Sequence, residues 1–139
     1  MNFGYKIHEI TVRYTYLYFL FFIFWDSQPS KLSPRALELL TNKDNLRLLS
    51  VVSLWEIQIK QQLGKLKLNK TLPEIIILQQ NNYIEILPIT VDHILALDSL
   101  PMHHKDPFDR LLIAQANIEN AVLISCDSVF ANYSVKLEW

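Results

Sequence analysis

Three acidic residues sit where an apolar run gives way to a helix start, a setting in which side chains of an α/β protein can meet. Glu56 lies in SLWEI, shortly after the apolar run Leu46–Val52; Asp109 lies in DPFDRLLIAQA; Asp127 follows VLISC. Carboxylates brought together repel one another unless a cation sits between them, and hard oxygen ligands of this kind suit Mg²⁺ or Mn²⁺. A divalent ion held in this way activates water and stabilises the charge that develops during phosphodiester cleavage. Each acid also has an architectural reading. Ser53 and Glu56 have the spacing of a capping box, Asp106 and Asp109 suit the cap and first turn of a helix, and Asp127 before Ser128 suits a turn. From residue type and spacing alone, both readings stay open.

The remaining candidates point elsewhere. His103 and His104 adjoin Asp106, but adjacent residues project differently and no HxH or HxxxH spacing occurs, so a surface or structural role is expected. His8 and His93 have no partner in sequence and read as incidental. Cys126 is the single cysteine, which excludes an internal disulfide and a CxxC zinc site; beside an apolar strand it reads as a buried, inert thiol. Trp55 reads as core packing in preference to a base-stacking platform. With two glycines in the chain there is no Gly-rich phosphate loop, which argues against kinases, GTPases and dinucleotide enzymes. A net charge of −1 does not mark a strongly basic nucleic-acid binder, although a local groove could still supply that field.

Gathering three acids requires a scaffold, and the local signals describe one. Ser33 with Pro34 opens a helix through Thr41, Leu46–Val52 reads as a buried strand, and Ser53 caps the helix SLWEIQIKQQLG that Gly64 stops. Thr71 with Pro73 begins TLPEIIILQQNN, Tyr83–Ile89 reads as a strand, and Thr90 caps VDHILALDSL. After the loop PMHHK, Asp106 and Pro107 start DPFDRLLIAQANIEN. Val122–Ser125 reads as a strand, Ser128–Tyr133 as one helical turn and Val135–Trp139 as a closing strand. Apolar strands alternating with helices predict an α/β fold, a parallel sheet covered on both faces in three layers. In such sheets ligands bind beyond the carboxyl ends of the strands, the rim on which all three acids fall.

Length and composition agree with one domain over residues 1–139: half of the residues are hydrophobic, enough for a core. The chain's oddity is the uncharged run Tyr14–Trp25, YTYLYFLFFIFW. Its twelve residues fall short of the ~20 needed to span a membrane, and DSQPSKLSP behind it has no small-residue cleavage site. A buried strand running into a short helix is expected there, with a cytoplasmic setting and no membrane.

Four stretches carry a resemblance: KLSPRALELL, VVSLWEIQIKQQLGKLKL, LPITVDHILALDSLPMHHKDPFDRLLIAQA and LISCDSVFANYSVKLEW. In order and spacing, from Lys31 to Trp139, they resemble the PIN-domain ribonucleases, specifically the VapC-like toxins of type II toxin–antitoxin systems. The resemblance implies a three-layer fold with a parallel sheet of four to five strands, and Mg²⁺- or Mn²⁺-dependent endonucleolytic cleavage of RNA. Glu56, Asp109 and Asp127 match three of the family's four acidic positions. Ser125 stands where the family places a hydroxyl residue before the last acid, and Asp106, His104 and Arg110 of the DPFDR region imply support of the site. Similar proteins are homodimers neutralised by an antitoxin whose tail enters the active groove.

The front of the chain departs from that pattern. The family's first strand ends in a motif like LLDTH, whose aspartate is the first metal ligand. Counting back from KLSP places it at about Thr15, Tyr16, Leu17 or Tyr18, none of them acidic. Glu9 and Asp26 are the nearest acids, and neither replaces it. Because residues 1–25 diverge as one block while everything after them keeps the pattern, a shifted reading frame across that block is expected, together with weakened catalysis. The alternative is a catalytically inactive relative that still binds antitoxin.

Overall fold

The structure, a computed structural model, describes residues 15–18, 32–103 and 105–139. Its elements are β1 (Thr15–Tyr18), α1 (Pro34–Thr41), β2 (Leu46–Ser50), α2 (Val51–Gln62), α3 (Leu72–Asn81), β3 (Glu85–Leu87), α4 (Val91–Ala96), α5 (Pro107–Ile118), β4 (Val122–Ile124) and β5 (Leu137–Glu138). Single 3-10 turns follow α4 (Leu97–Ser99) and β4 (Ser128–Asn132). The strands lie in the order β3-β2-β1-β4-β5, and every adjacent pair is parallel.

Side-chain alternation along the strands explains why helices cover both faces. In β2, Leu48 and Leu49 point to opposite sides, as do Leu123 and Ile124 in β4. Leu49 and Ile124 pack with Ala36, Leu39 and Leu40 of α1, Leu54 and Ile57 of α2 and Ile75 of α3. Leu48 and Leu123 pack with Leu111, Leu112 and Ile113 of α5 and with Phe130. Buried Arg47 of β2 ties the ends of two helices to the sheet: Nη1 donates to the Leu40 carbonyl at 2.7 Å and Nη2 to the Asn82 carbonyl at 3.0 Å.

The caps expected at Ser33, Thr71, Thr90 and Asp106 are present. Gly64, at φ 70°, takes the left-handed conformation just beyond α2 that glycine reaches without steric cost. One boundary differs in a way that matters. Strand β2 ends at Ser50, whose side chain accepts from the Val52 amide, so α2 begins at Val51 and Ser53 lies inside the helix. Two serines three apart compete for the cap, and the earlier one wins because Val51 and Val52 are taken into the helix, with Val52 fully buried against α5. The strands near Tyr83–Ile89 and Val135–Trp139 are also shorter than their apolar runs suggest.

Candidate active site

The sheet order fixes where chemistry can converge. Tyr18, the last residue of β1, is in register with Leu49 of β2 on one side and Ile124 of β4 on the other. The carboxyl end of β1 therefore lies between the strand that leads into α2 and Glu56 and the strand that leads to Asp127. Helix α5, bearing Asp109, packs against α2.

Glu56 is only 8% exposed, although it sits in the second turn of α2. Its Oε2 forms an ion pair with Lys60 Nζ at 3.1 Å, one turn on, while Oε1 is buried without a hydrogen-bond partner. Ser53, three residues earlier on the same face, is fully buried and its Oγ is likewise unpartnered. The capping-box reading of Ser53 and Glu56 is thus overturned: neither residue is at the helix start, and no cap explains the burial of a carboxylate there. Ser53 thus joins Glu56 as a buried polar residue on one face of α2, which the sequence does not mark because its spacing to Glu56 is that of a cap.

Asp106 does cap α5, its Oδ1 accepting from the Phe108 amide at 2.8 Å and the Asp109 amide at 3.3 Å. Asp109 follows in the first turn and is 5% exposed. At the third strand end, Ser125 is buried and its Oγ accepts from the Asp127 amide at 3.1 Å. Asp127 is exposed and caps the next turn, its Oδ1 accepting from the Val129 amide at 3.1 Å. Arg110 is engaged by the loop ahead of its own helix. Its Nη1 donates to the Pro101 carbonyl at 2.8 Å and its Nη2 to the Leu97 carbonyl at 3.3 Å, which anchors the loop ahead of α5. His104, Glu9 and Asp26 lie outside the described residues. Among those described, no three His, Cys, Asp or Glu side chains form a group that could hold a metal ion: Glu56 is engaged by Lys60, and Asp127 by its own turn.

A buried polar chain joins the helices that carry Glu56 and Asp109. Ser50 Oγ donates to Gln115 Oε1 of α5 while accepting from the Val52 amide. Gln115 Nε2 donates to the Pro88 carbonyl at 3.2 Å and faces His93 Nδ1 at 3.4 Å. The Thr90 amide also donates to Nδ1, which assigns the ring hydrogen to Nε2, and that atom donates to Glu119 Oε2 at 2.8 Å. His93, read from sequence as incidental, is completely buried at the centre of this chain. Gln115 and Glu119 lie 22 and 26 residues away, where only the fold reveals them, while Thr90 and His93 form a local capping box three residues apart. Two further expectations fail for related reasons. Trp55 is 55% exposed rather than packed in the core, because α2 turns its neighbours Leu54 and Ile57 inward. Cys126 is exposed because β4 stops at Ile124, two residues before it.

With this geometry in place, comparison with known proteins decides the family. A family model described as PIN domain matches residues 21–136. The chain belongs to the PIN domain family. Among solved structures, a chain of VapBC2 from Rickettsia felis, bound to a DNA fragment from its promoter, is similar to this PIN domain with a TM-score of 0.67 at 20% identity. That match covers 89% of this chain and 97% of the other. A chain of VapBC-1 from nontypeable Haemophilus influenzae is similar with a TM-score of 0.53 at 15% identity, covering 89% of this chain and 96% of the other. At these identities the likeness establishes a shared fold. No curated protein matches the chain. No helix of the described residues is long and apolar enough to cross a membrane.

Proposed function

We propose that this PIN domain, one domain over the whole chain with a three-layer fold built on four to five parallel strands, is a VapC-like toxin of a type II toxin–antitoxin system. On this reading it is an endoribonuclease dependent on Mg²⁺ or Mn²⁺, impaired by the absence of an acid in β1. The observation that carries the reading is Glu56, a carboxylate buried mid-helix beside the strand ends with one oxygen lacking a partner. An orphaned buried oxygen is costly, and hard oxygen donors fit a divalent cation. Glu56, Asp109 and Asp127, which do not form a metal-holding group as they stand, would have to converge to hold that cation, and when bound it would supply charge neutralisation at the scissile phosphate and an activated water. Asp106 fixes Asp109 in the first turn of its helix, Ser125 holds the Asp127 backbone, Arg110 anchors the loop between α4 and α5, and His104 would support the site.

The impairment is read from β1. Its four residues, Thr-Tyr-Leu-Tyr, contain no carboxylate, and the family match begins at residue 21, beyond the strand. That start also supports a shifted reading frame across residues 1 to about 24, which resequencing and translation of the alternative frame would test. The two solved structures named above are VapBC assemblies, which supports an antitoxin as partner; a homodimer, an RNA substrate and a cytoplasmic site of action complete the reading.

The test is cleavage of single-stranded RNA with Mn²⁺ by three proteins: the chain as it stands, Glu56→Gln, and a variant carrying an acid in β1 (Tyr18→Asp, with Tyr16→Asp alongside). Weak cleavage that Glu56→Gln abolishes and a β1 acid raises is expected. Metal-dependent cleavage unaffected by Glu56→Gln would overturn the site. No cleavage by any of the three, with antitoxin binding retained, would favour an inactive binding protein, the second reading that the missing acid permits.

A further inference from the structure

We infer that Trp55 is a stacking platform for a nucleobase of single-stranded RNA beside Glu56, an inference that rests on the ribonuclease reading. Every residue from Val52 to Ile57 except Trp55 is buried, whereas the indole leaves more than half of its surface in water. It is not loose. Phe108 meets it edge to face, with ring centroids 4.9 Å apart and planes at 83°, and Phe108 itself packs on the core between sheet and α5. The pair bridges the two helices one residue ahead of each buried acid: Trp55 precedes Glu56 and Phe108 precedes Asp109. A rigid, exposed aromatic surface is thereby held at the mouth of the site by the same helices that position the carboxylates.

Unpaired RNA presents bases that stack on such surfaces irrespective of their identity. Trp55 and Glu56 are consecutive residues of α2, so a base resting on the indole lies beside the helical turn that carries Glu56. Lys105, exposed just ahead of the α5 cap and three residues before Phe108, adds a cation on the Phe108 side of the pair, whereas Lys60 is already paired with Glu56. A nucleic-acid strand is the occupant that matches a π-face with a cation beside it.

The experiment measures binding of the full chain to a single-stranded RNA of mixed sequence, and to the same strand carrying abasic riboses, in Ca²⁺ and by fluorescence anisotropy. Trp55→Leu should weaken binding of the intact strand by about 5- to 100-fold, the range for loss of one stacked base. Trp55→Phe should stay within about threefold of the parent, and the abasic strand should bind parent and Trp55→Leu alike. If the parent binds RNA and Trp55→Leu binds it equally well, the platform is refuted while the ribonuclease reading stands. An equal loss for intact and abasic strands also refutes it, since the ring would then shape the site without stacking. Unchanged RNA affinity with an altered sedimentation mass assigns the ring to a protein contact instead. A parent that binds neither strand removes the ribonuclease reading, and the platform with it.

Discussion

The two sides of the candidate site are held in different ways. On the α2–α5 side, Glu56 and Asp109 are both buried, and their helices are joined by a directed polar chain from Ser50 through Gln115 and His93 to Glu119. On the β4 side, Asp127 is exposed on a 3-10 turn that follows a three-residue strand, and the turn's fully buried side chain is Phe130. Between them runs β1, paired through its backbone on both edges. The difference teaches how a strand between the two sides keeps its place in the sheet whichever side chains it carries. Ladder hydrogen bonds of a parallel strand are made by the main chain, and Thr, Tyr and Leu are compatible with a strand whether or not an acid belongs there.

The contrast can be broken most forcefully at Phe130. Phe130→Ala should destabilise the protein by about 3–5 kcal/mol in urea unfolding, because a large buried ring is replaced by a cavity. Loss of under about 1 kcal/mol would mean that the Asp127 turn is held by something other than this anchor. A smaller effect is expected at Gln115. Gln115→Leu leaves Ser50 and the Pro88 carbonyl without their side-chain partner and should cost about 1–3 kcal/mol. Gln115→Glu should do no better, since its second oxygen would face two acceptors, the Pro88 carbonyl and His93 Nδ1. If Gln115→Glu matched the parent in the same unfolding measurement, the direction assigned to the polar chain would be wrong.

How far these features were legible in the sequence follows the range of the forces that make them. The helix caps at Ser33, Thr71, Thr90 and Asp106 are local, made by side chains within three residues of the amides they receive, and could be read directly. The choice of Ser50 over Ser53 as cap could not, because it depends on Val52 being buried against α5 from far along the chain. Glu56 and Asp109 stood out by residue type, but what separates a cap from a buried carboxylate is solvent exposure, a tertiary property. The sequence does not mark His93, because its partners Gln115 and Glu119 lie in a different helix and at that helix's end. Nor does it mark Trp55 as exposed, because an aromatic within an amphipathic helix carries no sign of the face it occupies.

The missing acid in β1 can be tested without relying on turnover, by calorimetric titration of Mn²⁺ into the parent chain, Glu56→Gln and Tyr18→Asp. Glu56→Gln should leave the protein at least as resistant to urea as the parent, because it replaces a buried charge that has one exposed partner and an orphaned oxygen by a neutral amide of the same shape; a loss of metal binding would then be chemical rather than structural. The expected result is weak binding by the parent, none by Glu56→Gln, and binding at least tenfold tighter by Tyr18→Asp or its Tyr16→Asp companion. Tight binding by the parent, unchanged by an acid in β1, would show that the site is already complete and contradict the proposed impairment.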